Sequence, residues 1–210
     1  MPLVRVHNFA ISLDGFGAGE PQSLESPFGH AGERLHEWMF ATHFWDPDTG
    51  HRGVDDAYAV RHADGFGAEI MGANKFGPPG WQDDPDWKGW WGPNPPFHTP
   101  TYVLTHRPRE PIEMEGGTTF HFLSTSPEEA LAIAREAAGD LDVRLGGGAS
   151  TVRDFLAAGL VDQLHLVLVP IVLGRGTRLW DGLDALEDTY DVEAVSSPSG
   201  VTHLTLVRKA

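Results

Sequence analysis

One segment constrains the fold of this chain more than any other. Residues 145–151 have the sequence LGGGAST, in which three adjacent glycines separate a predicted strand from a predicted helix. Glycine has no Cβ, so a ligand can approach the backbone of such a turn closely. The start of the following helix leaves main-chain N–H groups unpaired and carries a partial positive charge. The segment therefore predicts a cradle for a phosphate or diphosphate group. The alternative is a tight turn in which Ser150 is an ordinary N-cap residue.

Apolar periodicity predicts strands that alternate with helices along most of the chain. Strands are predicted at residues 4–11, 68–71, 101–105, 119–123, 143–145, 164–169, 171–173 and 201–207, and helices at 33–41, 54–63, 127–138 and 150–158. This order indicates an α/β fold of three layers, with a mostly parallel central sheet, antiparallel edge strands and helices on both faces. No repeat or long linker divides the chain, so residues 1–210 are predicted to form a single domain.

Composition excludes several classes of function. The chain has no cysteine, which excludes disulfides, zinc–thiolate sites, iron–sulfur clusters and thiol nucleophiles. A net charge of −15 argues against binding to nucleic acid. No apolar run approaches the roughly 20 residues that a membrane span needs, and no signal peptide is recognisable, so a cytoplasmic location is expected. Eleven histidines include no H-E-x-x-H pattern, and no metal site is predicted.

Two further turns could contact phosphate. Residues 71–76 contain Lys75, one of only three lysines, and residues 105–108 contain Arg107 beside the Thr105 hydroxyl, a pair that could hold a 2′-phosphate. Both turns follow predicted strands, as the glycine triplet does, and ligands of open α/β sheets bind at the carboxyl ends of strands. Taken singly, each of the two is more often a solvated cation on a loop. Together, the three turns favour one phosphate-binding edge.

Two familiar phosphate-binding motifs do not fit the glycine segment. A dinucleotide-binding Rossmann turn needs a third glycine where Thr151 stands, and it opens its βαβ unit early in the chain. A P-loop needs a lysine directly after its glycines, and none follows here. The ligand is therefore expected to carry phosphate on a different architecture.

Residues 76–100 are rich in proline and contain Trp81, Trp87, Trp90 and Trp91, with no regular period. Such a long irregular excursion is usually functional or disordered, and its aromatic density argues against disorder. Three interpretations remain open: a lid over an aromatic substrate, a contact between subunits of a homodimer, or a satellite core.

The sequence resembles the dihydrofolate reductase-like family that includes the reductase domain of the bifunctional riboflavin-biosynthesis deaminase-reductase. The segments that carry the resemblance are 11–15 (ISLDG), 70–75 (IMGANK), 145–150 (LGGGAS), 159–166 (GLVDQLHL) and 170–176 (PIVLGRG), and together they span nearly the whole chain. Ala73 stands where this family usually has arginine, which leaves the choice between NADPH and NADH open. A zinc deaminase centre is excluded because cysteine is absent.

The resemblance implies an eight- or nine-stranded sheet that binds NADPH. Ala10 and Ile11 would line the nicotinamide side, and Lys75 would meet phosphates with its neighbours Gly72 and Asn74. Thr105, His106 and Arg107 would lie near the 2′-phosphate. The diphosphate would be held by Gly146, Gly147, Gly148, Ala149, Ser150 and Thr151.

The expected function is hydride transfer from NADPH to a C=N or C=O group of a small heteroaromatic substrate, pterin-like or aminopyrimidine-like, in riboflavin or folate-type metabolism. Asp14, at the end of the first strand, is the predicted catalytic polar group. Five other acid candidates compete with it: Glu33, His36, Glu37, Asp55 and Asp56. The alternative function is a nucleotide- or flavin-binding protein on the same fold without reductase turnover.

Overall fold

The computed structural model describes residues 2–62 and 64–210. Its strands are β1 (Val4–Ser12), β2 (Phe16–Ala18), β3 (Phe66–Gly72), β4 (Pro100–Leu104), β5 (Ile112–Glu113), β6 (Thr119–Leu123), β7 (Asp142–Gly147), β8 (Gln163–Val169), β9 (Thr177–Arg178), β10 (Tyr190–Ser196) and β11 (Thr202–Arg208). Its α-helices are α1 (Glu37–Phe40), α2 (Val54–Ala59), α3 (Ala73–Phe76), α4 (Pro127–Ala138) and α5 (Ala149–Ala157). Short 3-10 helices cover Gly29–Leu35, Trp81–Asp83, Glu115–Gly117 and Leu186–Asp188.

Nine strands form one sheet in the order β10-β11-β8-β1-β7-β3-β4-β6-β5. The strands from β8 to β6 in that order are parallel to one another, while β10 and β11 at one edge and β5 at the other are antiparallel to their neighbours. The predicted fold class, a mostly parallel sheet with antiparallel edges, is confirmed. After β1 the chain continues to β3, and β7 later fills the position between these two strands. The strand order therefore reverses beside β1, and open α/β sheets bind ligands at such a reversal.

Helices α4 and α5 cover one face of the sheet, called here the α4–α5 face. Alternate side chains of the strands pack there against the apolar faces of the helices. Ile70 and Leu145 of the sheet share one core cluster with Leu131 of α4 and Val152 of α5. Helix α4 begins where its sequence predicts, with Pro127 in the first turn and Ser126 as an N-cap that accepts a hydrogen bond from Glu129 N–H. Burial of these apolar faces is the main source of the sheet's stability.

The Trp-rich stretch packs on the opposite face of the sheet. Trp81 is 3% exposed and lies with Phe76, Phe120 and Phe122 in a buried cluster against β3, β4 and β6. The guanidinium of Arg109 lies 5.0 Å from the Trp81 ring and adds a cation–π contact. Of the three interpretations of this stretch, the satellite core is the one that the structure shows. The homodimer expected from the sequence stays a prediction.

Three predicted elements differ in the structure. Residues 171–173 are not a strand, because Asp14 accepts hydrogen bonds from the N–H groups of Leu173 and Gly174 and holds the segment as a loop. The helix predicted at 33–41 is split, since the 3-10 helix Gly29–Leu35 ends at His36 and α1 begins only at Glu37. The helix predicted at 54–63 ends at Ala59, and Ala63 lies outside the described residues.

If the Trp-rich stretch is core, Trp81→Ala should lower the free energy of unfolding by about 3–5 kcal/mol, as loss of a buried tryptophan does. Trp45→Ala is the control: Trp45 is 55% exposed, and its loss should cost about 1 kcal/mol or less. Urea denaturation followed by circular dichroism measures both. Equal, small costs at the two positions would show that the stretch is a loosely attached lid.

Candidate functional site

A cleft of about 630 Å³ lies at the carboxyl ends of β3, β4, β6 and β7. Eight residues predicted from the sequence line it: Gly72, Asn74, Thr105, His106, Arg107, Gly148, Ser150 and Thr151. Leu104, Leu123 and Phe155 supply apolar wall. The structure thus brings the three predicted phosphate-contacting turns to one place, which is large enough for a nucleotide-sized ligand.

The first turn of α5 faces this cleft without a side-chain cap. Its N-cap residue is Gly148, and no side chain of the described residues bonds to the N–H groups of that turn. Ser150 lies inside the helix, so its interpretation as an ordinary N-cap is wrong. Helix α4, whose first residue Pro127 also lines the cleft, differs because Ser126 caps it. The main-chain N–H groups at the start of α5 are therefore the ones left for an anionic ligand.

Gly72 lets the end of β3 approach α5. A Cβ built on Gly72 would lie 2.2 Å from Thr151 Oγ1, a distance that no side chain tolerates. Thr151 is buried at the cleft wall, and its hydroxyl lies beside Gly72. A glycine is needed at position 72 because the strand end and the helix start share this space.

Arg107 stands at the rim of the cleft and is mostly exposed. Its Nη2 lies 2.7 Å from Asp83 Oδ1, and the hydrogen bond from Arg107 lowers the pKa of Asp83. Thr105 Oγ1 accepts a hydrogen bond from Arg107 N–H at 3.2 Å, which fixes the turn that carries the arginine. An exposed ion pair of this kind is weak enough for a phosphate to displace the carboxylate.

Lys75 does not line the cleft. Its Nζ donates a hydrogen bond to Glu69 Oε1 at 2.9 Å, and Arg144 Nη1 lies 3.5 Å from the other carboxylate oxygen, Glu69 Oε2. Arg5, Arg144 and Glu69 occupy one row across β1, β7 and β3, on the face opposite to α4 and α5. The contacts of Lys75 are thus with this row of charges, and its predicted role at the cofactor phosphates stays a prediction that these contacts do not support.

The sheet parts between β1 and β7. The two strands pair only at Val4↔Val143 and Arg5↔Arg144, although β1 continues beside β8 to Ser12 and β7 continues beside β3 to Gly147. We call this gap the β1–β7 opening. It lies at the carboxyl ends of both strands, directly behind the glycine turn, where the strand order reverses.

The glycine triplet has different neighbours on its two sides. A Cβ on Gly146 would lie 2.1 Å from Glu69 Oε1 and 2.4 Å from Lys75 Nζ, so the bare residue makes room for that ion pair. A Cβ on Gly147, whose φ is +113°, would lie 3.1 Å from the ring of Phe9. A Cβ on Gly148 would meet nothing within 4 Å. The turn therefore presents Gly148 to the cleft and Gly146 and Gly147 to the β1–β7 opening.

Several buried polar atoms of the described residues lack hydrogen-bond partners. Asn8 Oδ1, Arg144 Nε and His62 Nδ1 are buried and have no hydrogen-bond partner among the described residues. Burial lowers the pKa of His62 to about 4 and that of His7 to about 4, so both imidazoles are neutral at pH 7. Burial also lowers the pKa of the Lys75 amine, against the opposing effect of Glu69. The side chain of Lys75 is 24% exposed and is the reachable acid of this group.

Ala10 and Ile11 are buried at the end of β1 and do not line the cleft. Ala10 belongs to the cluster on the opposite face, and Ile11 to the core of the α4–α5 face. Ala149 is the first residue of α5 and is also buried. Sequence reasoning missed Phe9, Glu69 and Arg144 as site residues. An acid inside an apolar strand was the available signal for Glu69.

The contacts of Asp14 are structural, and its predicted catalytic role stays a prediction that these contacts do not support. Partial desolvation acts to raise its pKa, but hydrogen bonds from the Ser12 hydroxyl and from the N–H groups of Leu173 and Gly174 lower it to about 2. The carboxylate is ionised at pH 7 and its oxygens are occupied. It ties β1 to the loop after β8, which explains why this residue follows the first strand.

The competing acid candidates are placed elsewhere. Glu33 and Glu37 are exposed. Asp56 is buried and accepts a hydrogen bond from Phe44 N–H at 2.7 Å, while Asp55 accepts one from His203. His36 is half-buried with its ring against Phe28, and this burial lowers its pKa to about 4.

Within the described residues, no group of three or more histidine, aspartate or glutamate side chains is arranged to hold a metal ion. In the same part of the chain, no helix is both long and apolar enough to cross a membrane.

Comparison with known proteins gives one family match. A family model described as the RibD C-terminal domain matches residues 4–204. A comparison with curated proteins gives no match.

Three solved structures share the fold. One, described as a riboflavin biosynthesis protein from Shewanella sp. PV-4, has 19% identity and a TM-score of 0.62, with 99% of each chain covered. A pyrimidine reductase-like protein from Corynebacterium diphtheriae has 16% identity and a TM-score of 0.52, with 100% of this chain and 92% of that chain covered. The third is a diaminohydroxyphosphoribosylaminopyrimidine deaminase/5-amino-6-(5-phosphoribosylamino)uracil reductase from Thermotoga maritima. It has 14% identity and a TM-score of 0.57, and the match covers 99% of this chain but 57% of that one. At these identities the likeness shows the fold alone.

If Asp14 is structural, Asp14→Asn should lower the free energy of unfolding at pH 7 by on the order of 1 kcal/mol, because an amide cannot accept all of these hydrogen bonds. The folded pKa of about 2 lies below the unfolded value of 3.8. The carboxylate's contribution is therefore complete above pH 3.8 and is lost as the pH falls towards 2. Denaturation across this range should show the gap between wild type and variant closing. Asp86→Asn, at an exposed aspartate, is the control. A gap that stays constant down to pH 2 would contradict this role.

Proposed function

The chain belongs to the RibD C-terminal domain family, and we propose from this that it is an NADPH-dependent reductase acting on a small heteroaromatic ring of the aminopyrimidine or pterin type. The observation that carries the proposal is the uncapped first turn of α5 at the wall of the cleft. The names of two structural neighbours, which refer to pyrimidine and aminouracil reductases, support the substrate class.

The cleft suits the nucleotide half of the cofactor. The N–H groups of Ala149, Ser150 and Thr151 would hold the diphosphate, which needs no lysine because the helix start supplies the positive potential. Arg107 and Thr105 would meet the 2′-phosphate at the rim. The absence of a Cβ at Gly148 leaves the space above the turn free for the ligand.

The β1–β7 opening suits the reacting ends of cofactor and substrate. When bound, the reduced nicotinamide supplies the hydride. The proton would come from the protein, and Lys75 is the partly exposed acid at this place, hydrogen-bonded to Glu69.

One observation favours the second function, nucleotide binding without turnover. The ring of Phe9 lies against Gly147 and Gly17, inside the β1–β7 opening, where it restricts a nicotinamide ring. Titration with NADPH, followed by tryptophan fluorescence, tests binding. A screen of aminopyrimidines and pterins for oxidation of bound NADPH then tests turnover. Binding with no oxidation by any member of either class would favour the second function, and no binding would reject NADPH as the ligand of this site.

The role of α5 is tested by Ser150→Asp. A carboxylate in the first turn should preserve or raise stability by up to about 1 kcal/mol, because it complements the helix dipole. It should weaken NADPH binding at least about tenfold, because it repels the diphosphate and occupies the same N–H groups. Calorimetric titration measures the affinity.

Ser126→Asp is the matched control for that variant. It makes the same change at the start of α4, where the side chain is already the cap, and NADPH affinity should stay within about twofold of wild type. Equal effects of the two variants would remove α5 as the phosphate site.

Arg107→Gln tests the 2′-phosphate contact. NADPH affinity should fall about tenfold and NADH affinity should not change, because only the former carries the phosphate. Asp83→Asn frees Arg107 from its ion pair and should raise NADPH affinity up to about fivefold. Parallel losses for NADH and NADPH in Arg107→Gln would contradict the assignment.

Lys75→Met tests the proton donor. Methionine keeps the apolar stem of the side chain, so NADPH affinity should stay within about threefold, while the rate of hydride transfer should fall by about a hundredfold or more. Lys88→Met, at an exposed lysine, is the control. Single-turnover measurements with the best substrate of the screen separate chemistry from binding. An unchanged rate would move the proton donor elsewhere.

A further inference from the structure

Strand β1 contains a bulge opposite His165. Val6 pairs with Leu164 and Phe9 pairs with Leu166, so the two residues His7 and Asn8 stand opposite the single residue His165. Asn8 has a φ of +60°, a left-handed conformation that asparagine tolerates better than most residues. A bulge of this kind leaves a main-chain group without its ladder partner.

The side chain of His165 supplies the missing partner. Asn8 N–H donates a hydrogen bond to His165 Nδ1 at 3.2 Å. His165 is 1% exposed, so water does not compete for that N–H group. Because a main-chain N–H can only donate, Nδ1 must be unprotonated and the proton of the neutral ring must be on Nε2.

The same argument gives the position of the proton on His203. His165 Nε2 lies 3.1 Å from His203 Nδ1, so the proton on the former is donated to the latter. The proton of His203 is then on Nε2, which donates to Asp55 Oδ1 at 2.8 Å. The chain of hydrogen bonds runs in one direction, from the bulge to Asp55, and both imidazoles are neutral in it. Burial, together with the nearby His7, His203 and Arg61, lowers the pKa of His165 to about 2, which agrees with a neutral ring.

Helix α2 holds this chain from one side. The Tyr58 ring stacks on both imidazoles, with centroid distances of 4.4 Å to His165 and 4.2 Å to His203. The Tyr58 carbonyl accepts a hydrogen bond from His7 Nε2 at 3.1 Å and one from Asn8 Nδ2 at 3.5 Å. Both residues of the bulge are therefore attached to α2.

The bulge determines which side chains of β1 face the glycine turn. Before it, Val4 and Val6 belong to the core of the α4–α5 face. After it, the alternation is reversed, so that Phe9 and Ile11 pack against that core and Ala10 joins the opposite cluster. Phe9 consequently lies beside Gly17 and Gly147, at the β1–β7 opening.

We propose that His165 is a positioning residue for the proposed cofactor site: its Nδ1, with the tautomer fixed by His203 and Asp55, holds the bulge that sets Phe9 at the β1–β7 opening. This inference rests on the proposed function for its consequence at the cofactor. The hydrogen-bond chain itself is independent of that function.

The first experiment needs no ligand. Long-range ¹H–¹⁵N correlation spectra of the wild-type protein at pH 7 should show His165 and His203 as neutral rings protonated on Nε2. A proton on His165 Nδ1 would overturn the proposal, whether or not any variant folds.

The second experiment compares three variants. His165→Phe keeps an aromatic ring beside Tyr58 but removes the acceptor, and amide exchange at Asn8 should become roughly tenfold faster. His165→Asn places a carbonyl oxygen near the position of Nδ1 and should restore most of the protection. His121→Phe, which removes an imidazole stacked on Tyr102 at β6, is the matched control and should leave Asn8 unchanged.

The same variants report on the cofactor. NADPH affinity should fall roughly tenfold in His165→Phe, recover in His165→Asn and stay at the wild-type level in His121→Phe. Unchanged exchange at Asn8 and unchanged affinity in His165→Phe would overturn the proposal. If the wild-type protein binds no NADPH, the proposed function fails, while the tautomer and exchange measurements still decide whether His165 holds the bulge.

Discussion

The site depends on the main-chain N–H groups in the first turn of α5, which have no side-chain cap. The Ser126 side chain caps the first turn of α4, but the N-cap residue of α5 is Gly148, which has no side chain, so the first N–H groups of α5 are left uncapped at the cleft. An anion at that place gains the hydrogen bonds and the helix dipole together. In a chain of net charge −15, this use of the backbone concentrates positive potential without adding cations.

The glycine turn serves two neighbouring spaces at once. Gly148 leaves the cleft clear, while Gly146 and Gly147 admit the Glu69–Lys75 pair and the Phe9 ring behind it. A ligand that spans both spaces would lie across this turn, with phosphates on one side and a reacting ring on the other. The β1–β7 opening exists because β1 and β7 pair only at their first residues. Beyond these, β1 stays paired with β8, and β7 stays paired with β3.

The sequence predicted those features that depend only on residues close together in the chain. The capped helix at Pro127, the strand-to-helix turn at the glycines and the three strand ends with polar turns could be predicted, because periodicity, caps and glycine each act within a few residues. These signals predicted the cleft-lining residues Gly72, Asn74, Thr105, His106, Arg107, Gly148, Ser150 and Thr151.

Long-range pairings decided the rest. The use of Asp14 by the N–H groups of Leu173 and Gly174, and that of Lys75 by Glu69, depend on segments that meet only in the folded chain. Residues 171–173 are apolar and two of them, Ile171 and Val172, are β-branched, as in a strand, but Asp14 holds the segment as a loop. Strand β10 was not predicted because its residues 191–194 are exposed on both faces and so have no buried side that would select apolar residues. The bulge at Asn8 was invisible for the same reason, since its partner His165 is distant in sequence.

A crystal structure of the protein with NADPH tests the central claim most directly. The account predicts that the diphosphate oxygens lie within hydrogen-bond distance of the main-chain N–H groups at the start of α5, with the nicotinamide at the β1–β7 opening. Cofactor bound with its diphosphate away from that helix start, for example at the start of α4, would contradict it.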